Sequence, residues 1–103
     1  MTAGAGTPLT MISIRQIAKG EPQEFEVVVQ GQTVSSHRVT MSSQTYQRLA
    51  AGKPSAEQCV RAAFLFLLDR EPNQSILRRF DLADIGKYFP EFEQELPNYL
   101  KSP

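Results

Sequence analysis

The feature that most constrains this chain is a helical segment with almost no polar side. Ser55 is followed three residues later by Gln58, the reciprocal pair of a capping box. The helix it opens runs from Ala56 to about Arg70. Val60, Ala63, Phe64, Leu67 and Leu68 form one apolar face, and Cys59, Ala62, Leu65 and Phe66 extend it almost all the way round. A helix that is apolar on every side is either a membrane span or the buried spine of a domain. A span needs about 20 consecutive apolar residues, and the longest unbroken run here is Ala62–Leu68. The helix must therefore be wrapped by the rest of the chain, and Pro72 stops it.

Strands supply part of the wrapping. In Glu24–Gln30, Phe25, Val27 and Val29 alternate with Glu24, Glu26, Val28 and Gln30, the period of a half-buried strand. Gly31 offers the positive φ of a tight turn. Val34–Met41 then reads as a second strand, with Ser35, His37, Val39 and Met41 on one face and Val34, Ser36, Arg38 and Thr40 on the other. The short connection predicts an antiparallel hairpin. Upstream, Ile12 and Ile14 alternate as in a strand, while Ile14, Ile17 and Ala18 also fit a helical turn. A third strand over residues 11–15 is the expectation, broken by Gly20 and Pro22.

The remaining pieces are helical in period. Ser42 or Ser43 caps a short helix carrying Tyr46, Leu49 and Ala50, closed by Gly52. After Pro72, Ser75 caps a helix over Ile76–Phe80 and Asp81 caps Leu82–Phe89. Pro90 opens a last helix with Glu91 and Glu93 near its positive end, Phe92 and Leu96 on one stripe, and Pro97 as its stop. The predicted fold is α+β: an antiparallel β-hairpin, extended to three strands by Met11–Arg15, packed on one long buried helix plus several short C-terminal helices. Residues 11–100 form one domain. Residues 1–10, small and glycine-containing, are expected to be a disordered tail.

Composition closes off several function classes. Eleven Lys and Arg balance eleven Asp and Glu in 103 residues. A nucleic-acid protein usually shows a basic excess. The balance is uneven along the chain: residues 52–80 hold five bases and three acids, residues 81–103 two bases and five acids. One cysteine excludes an internal disulfide and a paired-thiolate zinc site, and Met1–Thr10 lacks the basic residues of a secretory leader. A cytoplasmic, membrane-free chain is expected, with no cofactor and no metal.

The chemistry-bearing residues do not converge. His37 is the only histidine and is expected at the surface or half-buried on the hairpin. Cys59 lies past the first turn of the apolar helix and reads as a small buried hydrophobe. Asp81 is a cap, and Glu91, Glu93 and Glu95 spread around a helix rather than meeting. No nucleophile elbow and no glycine-rich phosphate loop is present. No catalytic residue is assigned. Tyr88, Phe89, Phe92 and Tyr99 concentrate aromatic surface near acids, a composition that suits a binding patch for a protein partner or a second copy.

Two likenesses bear on this reading. The residues Arg70–Pro72, Ser75–Leu77, Phe80–Leu82, Ile85 and Tyr88–Glu91 give the last 45 or so residues a pattern that resembles a small bacterial family of unknown function. That resemblance implies a hairpin-plus-helices domain and no reaction. The order of strand 34–41 and the two helices after it is similar to ribbon–helix–helix DNA-binding proteins. There, paired strands of a dimer enter the major groove. The likeness implies that Ser36, Arg38 and Thr40 face base edges and that the backbone at Ser55 grips a phosphate. A non-catalytic interaction or regulatory domain is the leading expectation, and the dimeric DNA binder is the alternative.

Overall fold

The computed structural model of the chain describes residues 10–31, 33–50 and 54–100. Residues 1–9 of the expected tail and the Gly52 cap lie outside the described residues. Strands β1 (Met11–Ala18), β2 (Gln23–Gln30) and β3 (Val34–Met41) form an antiparallel meander. Helix α1 (Ser43–Ala50) and helix α2 (Ala56–Leu68) follow. A single 3-10 turn at Asn73–Ser75 leads to β4 (Arg79–Asp81), then a 3-10 turn at Leu82–Asp84, α3 (Ile85–Tyr88) and α4 (Phe92–Leu100). β4 pairs in parallel with β3, so the sheet is mixed and four-stranded in the order β1-β2-β3-β4.

The α+β class is as expected, but the sheet is larger than a hairpin. Residues 76–80, expected as a helix, hold no helix; Arg79 and Phe80 belong to β4 instead. Pro97 lies inside α4 rather than ending it. Gly31 does not use a positive φ; its amide donates to the Thr33 carbonyl at 3.0 Å.

The alternation places Phe25, Val27, Val29, His37, Val39 and Met41 on one buried sheet face. Glu26, Arg38 and Arg79 stand in register on the other, with Arg15 beside Glu26. Among the described residues the helices pack on the buried face only, which leaves the polar face uncovered by them. The capping box at Ser55 and Gln58 forms as expected. α2 then lies between two partners, and this explains its all-round apolarity. Residues two apart on a helix point about 200° from each other. Phe64 accordingly meets His37 and Phe80 on the sheet side, while Phe66 packs edge-on against Phe89, Phe92 and Tyr99 around α4.

Candidate functional site

Four aromatic residues were grouped by the sequence, and the structure divides them. Phe92 is 1 % exposed and belongs to the core. Phe89 and Tyr99 are half-buried, each with its ring against Phe66. Only Tyr88 is open, at 68 % exposure. The expected patch is therefore mostly core closure, because Phe92, Leu96 and Tyr99 recur at the i, i+4, i+7 spacing of one stripe facing α2.

Tyr88 instead lines a groove of about 270 Å³ together with residues that the sequence did not single out. Leu67, Ile76 and Ile85 form its floor, Phe80 and Phe89 its half-buried sides, and Leu77 its outer lip at 54 % exposure. Glu71, Ser75 and Asp84 are the polar groups around it.

Local bonding builds this groove. At the end of α2, the Arg70 guanidinium lies 3.6 Å over the Phe66 ring and donates to Glu91 at 3.2 Å. Tyr99 donates its hydroxyl to Asp69 at 2.6 Å, which holds its phenol above the ordinary range. These contacts bring α4 back across the end of α2. The next residues are held from the other direction. Buried Asn73 donates to the Thr33 carbonyl at 3.2 Å and to Ser35 Oγ at 2.8 Å. His37 Nδ1 donates to the Leu77 carbonyl at 2.7 Å. The backbone of Leu77 is thus tied inward while its side chain stays out. Asp81 closes the far end, accepting from Thr40 Oγ1 at 2.7 Å and from the Ala83 amide at 2.9 Å. Asp84 pairs with Lys87 at 3.1 Å.

His37 is 2 % exposed, not a surface or half-buried residue. The Leu77 carbonyl can only accept, so Nδ1 carries the proton of the neutral ring and Nε2 accepts from Ser35 Oγ at 2.8 Å. Ser35 and His37 have the spacing of a nucleophile and its base. The Ser35 hydroxyl is already engaged by Asn73, however, and lines neither this groove nor the cavity on the open sheet face. The trio works as a buried tie between β3 and residues 73–77. Cys59 is fully buried, and burial pushes its thiol up to about 11, far from a reactive thiolate.

Ser36, Arg38 and Thr40 share the open sheet face as the DNA-binding likeness implied, but Ser55 caps α2 in the helical layer behind the sheet. Arg38–Thr40 pair with β2 on one side and β4 on the other, so β3 has no free edge there for a strand-paired dimer. The Thr40 hydroxyl is given to Asp81, and Arg38 lies 3.5 Å from Glu24.

Among the described residues, no cluster of three or more His, Cys, Asp or Glu side chains is placed to hold a metal ion. No described helix is long and apolar enough to cross a membrane. Comparison with protein-family models, with curated proteins and with solved structures found no match.

Proposed function

We propose that this chain is a small non-catalytic interaction domain whose docking surface is the groove between residues 71–77 and α3. The observation that carries the reading is that two of the most exposed large apolar side chains, Leu77 and Tyr88, stand on the walls of one concave apolar site. Folding alone would bury such residues or scatter them; exposed apolar walls around a concavity suit recognition.

The groove also suggests the chemistry of its partner. Glu71 and Asp84 border it, Asp84 with Lys87 at 3.1 Å and Glu71 with no ion-pair partner among the described residues, and no basic side chain lines it. A protein segment bearing one large apolar anchor next to Lys or Arg complements both features. The lack of a convergent nucleophile, base and oxyanion donor at the groove argues for binding rather than turnover.

Selection of a random peptide library on the immobilised domain tests this. The expected consensus is one large aliphatic or aromatic residue flanked by a basic one, with binding lost in Tyr88→Ser and Leu77→Ser. Enriched peptides that bind both variants as tightly as the parent would overturn the reading. The same result would follow if the peptides shifted amide resonances only on the open sheet face.

A further inference from the structure

The open face of the sheet carries a feature that the groove does not explain. Arg38 and Arg79 are direct register partners on the adjacent parallel strands β3 and β4, both on the outer face. Neighbouring strands lie about 4.8 Å apart, and like charges placed directly opposite one another are destabilising. Carboxylates relieve this on the β2 side only, where Glu26 is the register partner of Arg38. Arg38 has Glu24 at 3.5 Å, while Arg78 and Arg79 have no carboxylate within ion-pair distance among the described residues.

The same arginines surround a notch. β4 begins opposite Arg38, so Ser36 and His37 of β3 extend past its start. The space left is about 280 Å³, lined by Glu26, Ser36, His37, Arg38, Arg78 and Arg79. Its lining thus counts three arginines against one glutamate, with Arg38 and Arg79 on the outer face and Arg78 entering at the start of β4, where its carbonyl accepts from the Arg38 amide at 2.7 Å. The glutamate, Glu26, accepts from Arg15 on β1 at 2.6 Å, which offsets its charge from the side away from the notch. Asp81, further along β4, has its oxygens turned to Thr40 and Ala83. A planar guanidinium presents paired N–H groups that match two oxygens of a tetrahedral anion. Ser36 adds a neutral hydroxyl donor.

We propose that Arg38, Arg78, Arg79 and Ser36 form a binding site for a phosphate dianion, either free or as a monoester. Two negative charges match the excess on the wall, and a volume of several waters at about 30 Å³ each accommodates the group. The inference rests on residues separate from the groove, so it stands or falls independently of the interaction reading.

The test is an amide and arginine side-chain NMR titration with inorganic phosphate at pH 7.5, with ionic strength held constant by NaCl. The expected result is saturable shifts confined to residues 36–38 and 78–80. Arg79→Gln and Arg38→Gln should each weaken binding at least tenfold, with spectra unchanged elsewhere. Arg79→Lys, which keeps the charge and loses the fork, should fall in between and serves if a glutamine variant does not fold. A phosphoserine peptide binding tighter than inorganic phosphate identifies a protein-borne group as the source; equal binding identifies the free anion. Shifts that rise linearly and are reproduced by NaCl overturn the site, as does saturation unchanged in both glutamine variants. Duplex DNA that binds with a steep salt dependence where phosphate does not saturate overturns it in favour of backbone contacts by the arginines.

Discussion

The imidazole of His37 donates from Nδ1 to the carbonyl oxygen of Leu77, 40 positions later in the chain, at 2.7 Å. This single bond joins the interior of the sheet to the lip of the groove. The ring is held on its other side by Ser35 and rests 5.3 Å from the Phe64 ring. The position of the exposed Leu77 side chain therefore depends on an imidazole that is neutral and buried.

Burial holds the His37 pKa below 6.5, the Leu77 carbonyl opposes that shift, and nearby Arg78 adds to it. Between 6.5 and the lower folded value the unfolded chain binds the extra proton and the folded chain does not. Stability is thus fully present above about pH 6.5 and is lost as pH falls toward the folded pKa. One proton gives at most about 1.4 kcal/mol per pH unit. Urea midpoints measured from pH 7.5 to 5.5 should fall for the parent and stay flatter for His37→Gln. Equal slopes would mean that His37 does not control this window.

Phe64 and Phe66 should each cost roughly 3–5 kcal/mol when truncated to alanine, as for a buried phenylalanine. Phe92→Ala belongs with them as a loss of stability and not of association, since its ring packs 5.0 Å from Phe66. Chemical denaturation of the three variants checks this. A Phe92→Ala protein as stable as the parent would place α4 off the core.

Ser55→Ala should destabilise by about 1 kcal/mol, the usual effect of losing an N-cap. Both halves of its capping box are formed, at 3.1 Å to the Gln58 amide and 2.8 Å back from the Gln58 side chain. Ser55→Asp retains the acceptor and should recover most of the loss in the same thermal melt.

Leu77→Ser and Tyr88→Ser should leave stability within about 0.5 kcal/mol, because both side chains are largely in water already. Thermal melts of the two variants measure this directly. A larger loss would show that these residues serve packing and not recognition.

The strands and the long helix were legible because their signals are local. Phe25, Val27 and Val29 alternate over a full strand, and Ser55 with Gln58 marks a helix start without help from elsewhere. β4 was not legible. Three residues are too few for a period, and its partner lies some 40 residues upstream in parallel. Ile76, Leu77 and Phe80 also happen to match a helical spacing, and the ties from Asn73 and His37 together with the pairing to β3 pull that stretch out straight. The burial of His37 depends on those same distant groups. Phe92 reads in the sequence as part of a binding patch, although the stripe it shares with Leu96 already marks it for the core in which it lies. Leu77 left no such mark, because an exposed leucine looks like any other until a groove forms beside it.

The parallel pairing of β4 with β3 carries a dynamic consequence. Three residues close a crossover that spans both α1 and α2, so this strand has the shortest ladder of the sheet and should open before the domain unfolds. Hydrogen exchange should find the amides that β3 and β4 share exchanging through local opening, and those shared by β2 and β3 only through global unfolding. β4 gives Phe80 to the groove on one side and Arg79 to the notch on the other. A ligand that held the strand closed from either face would prepare the opposite face, and two such ligands would strengthen each other's binding by the same factor.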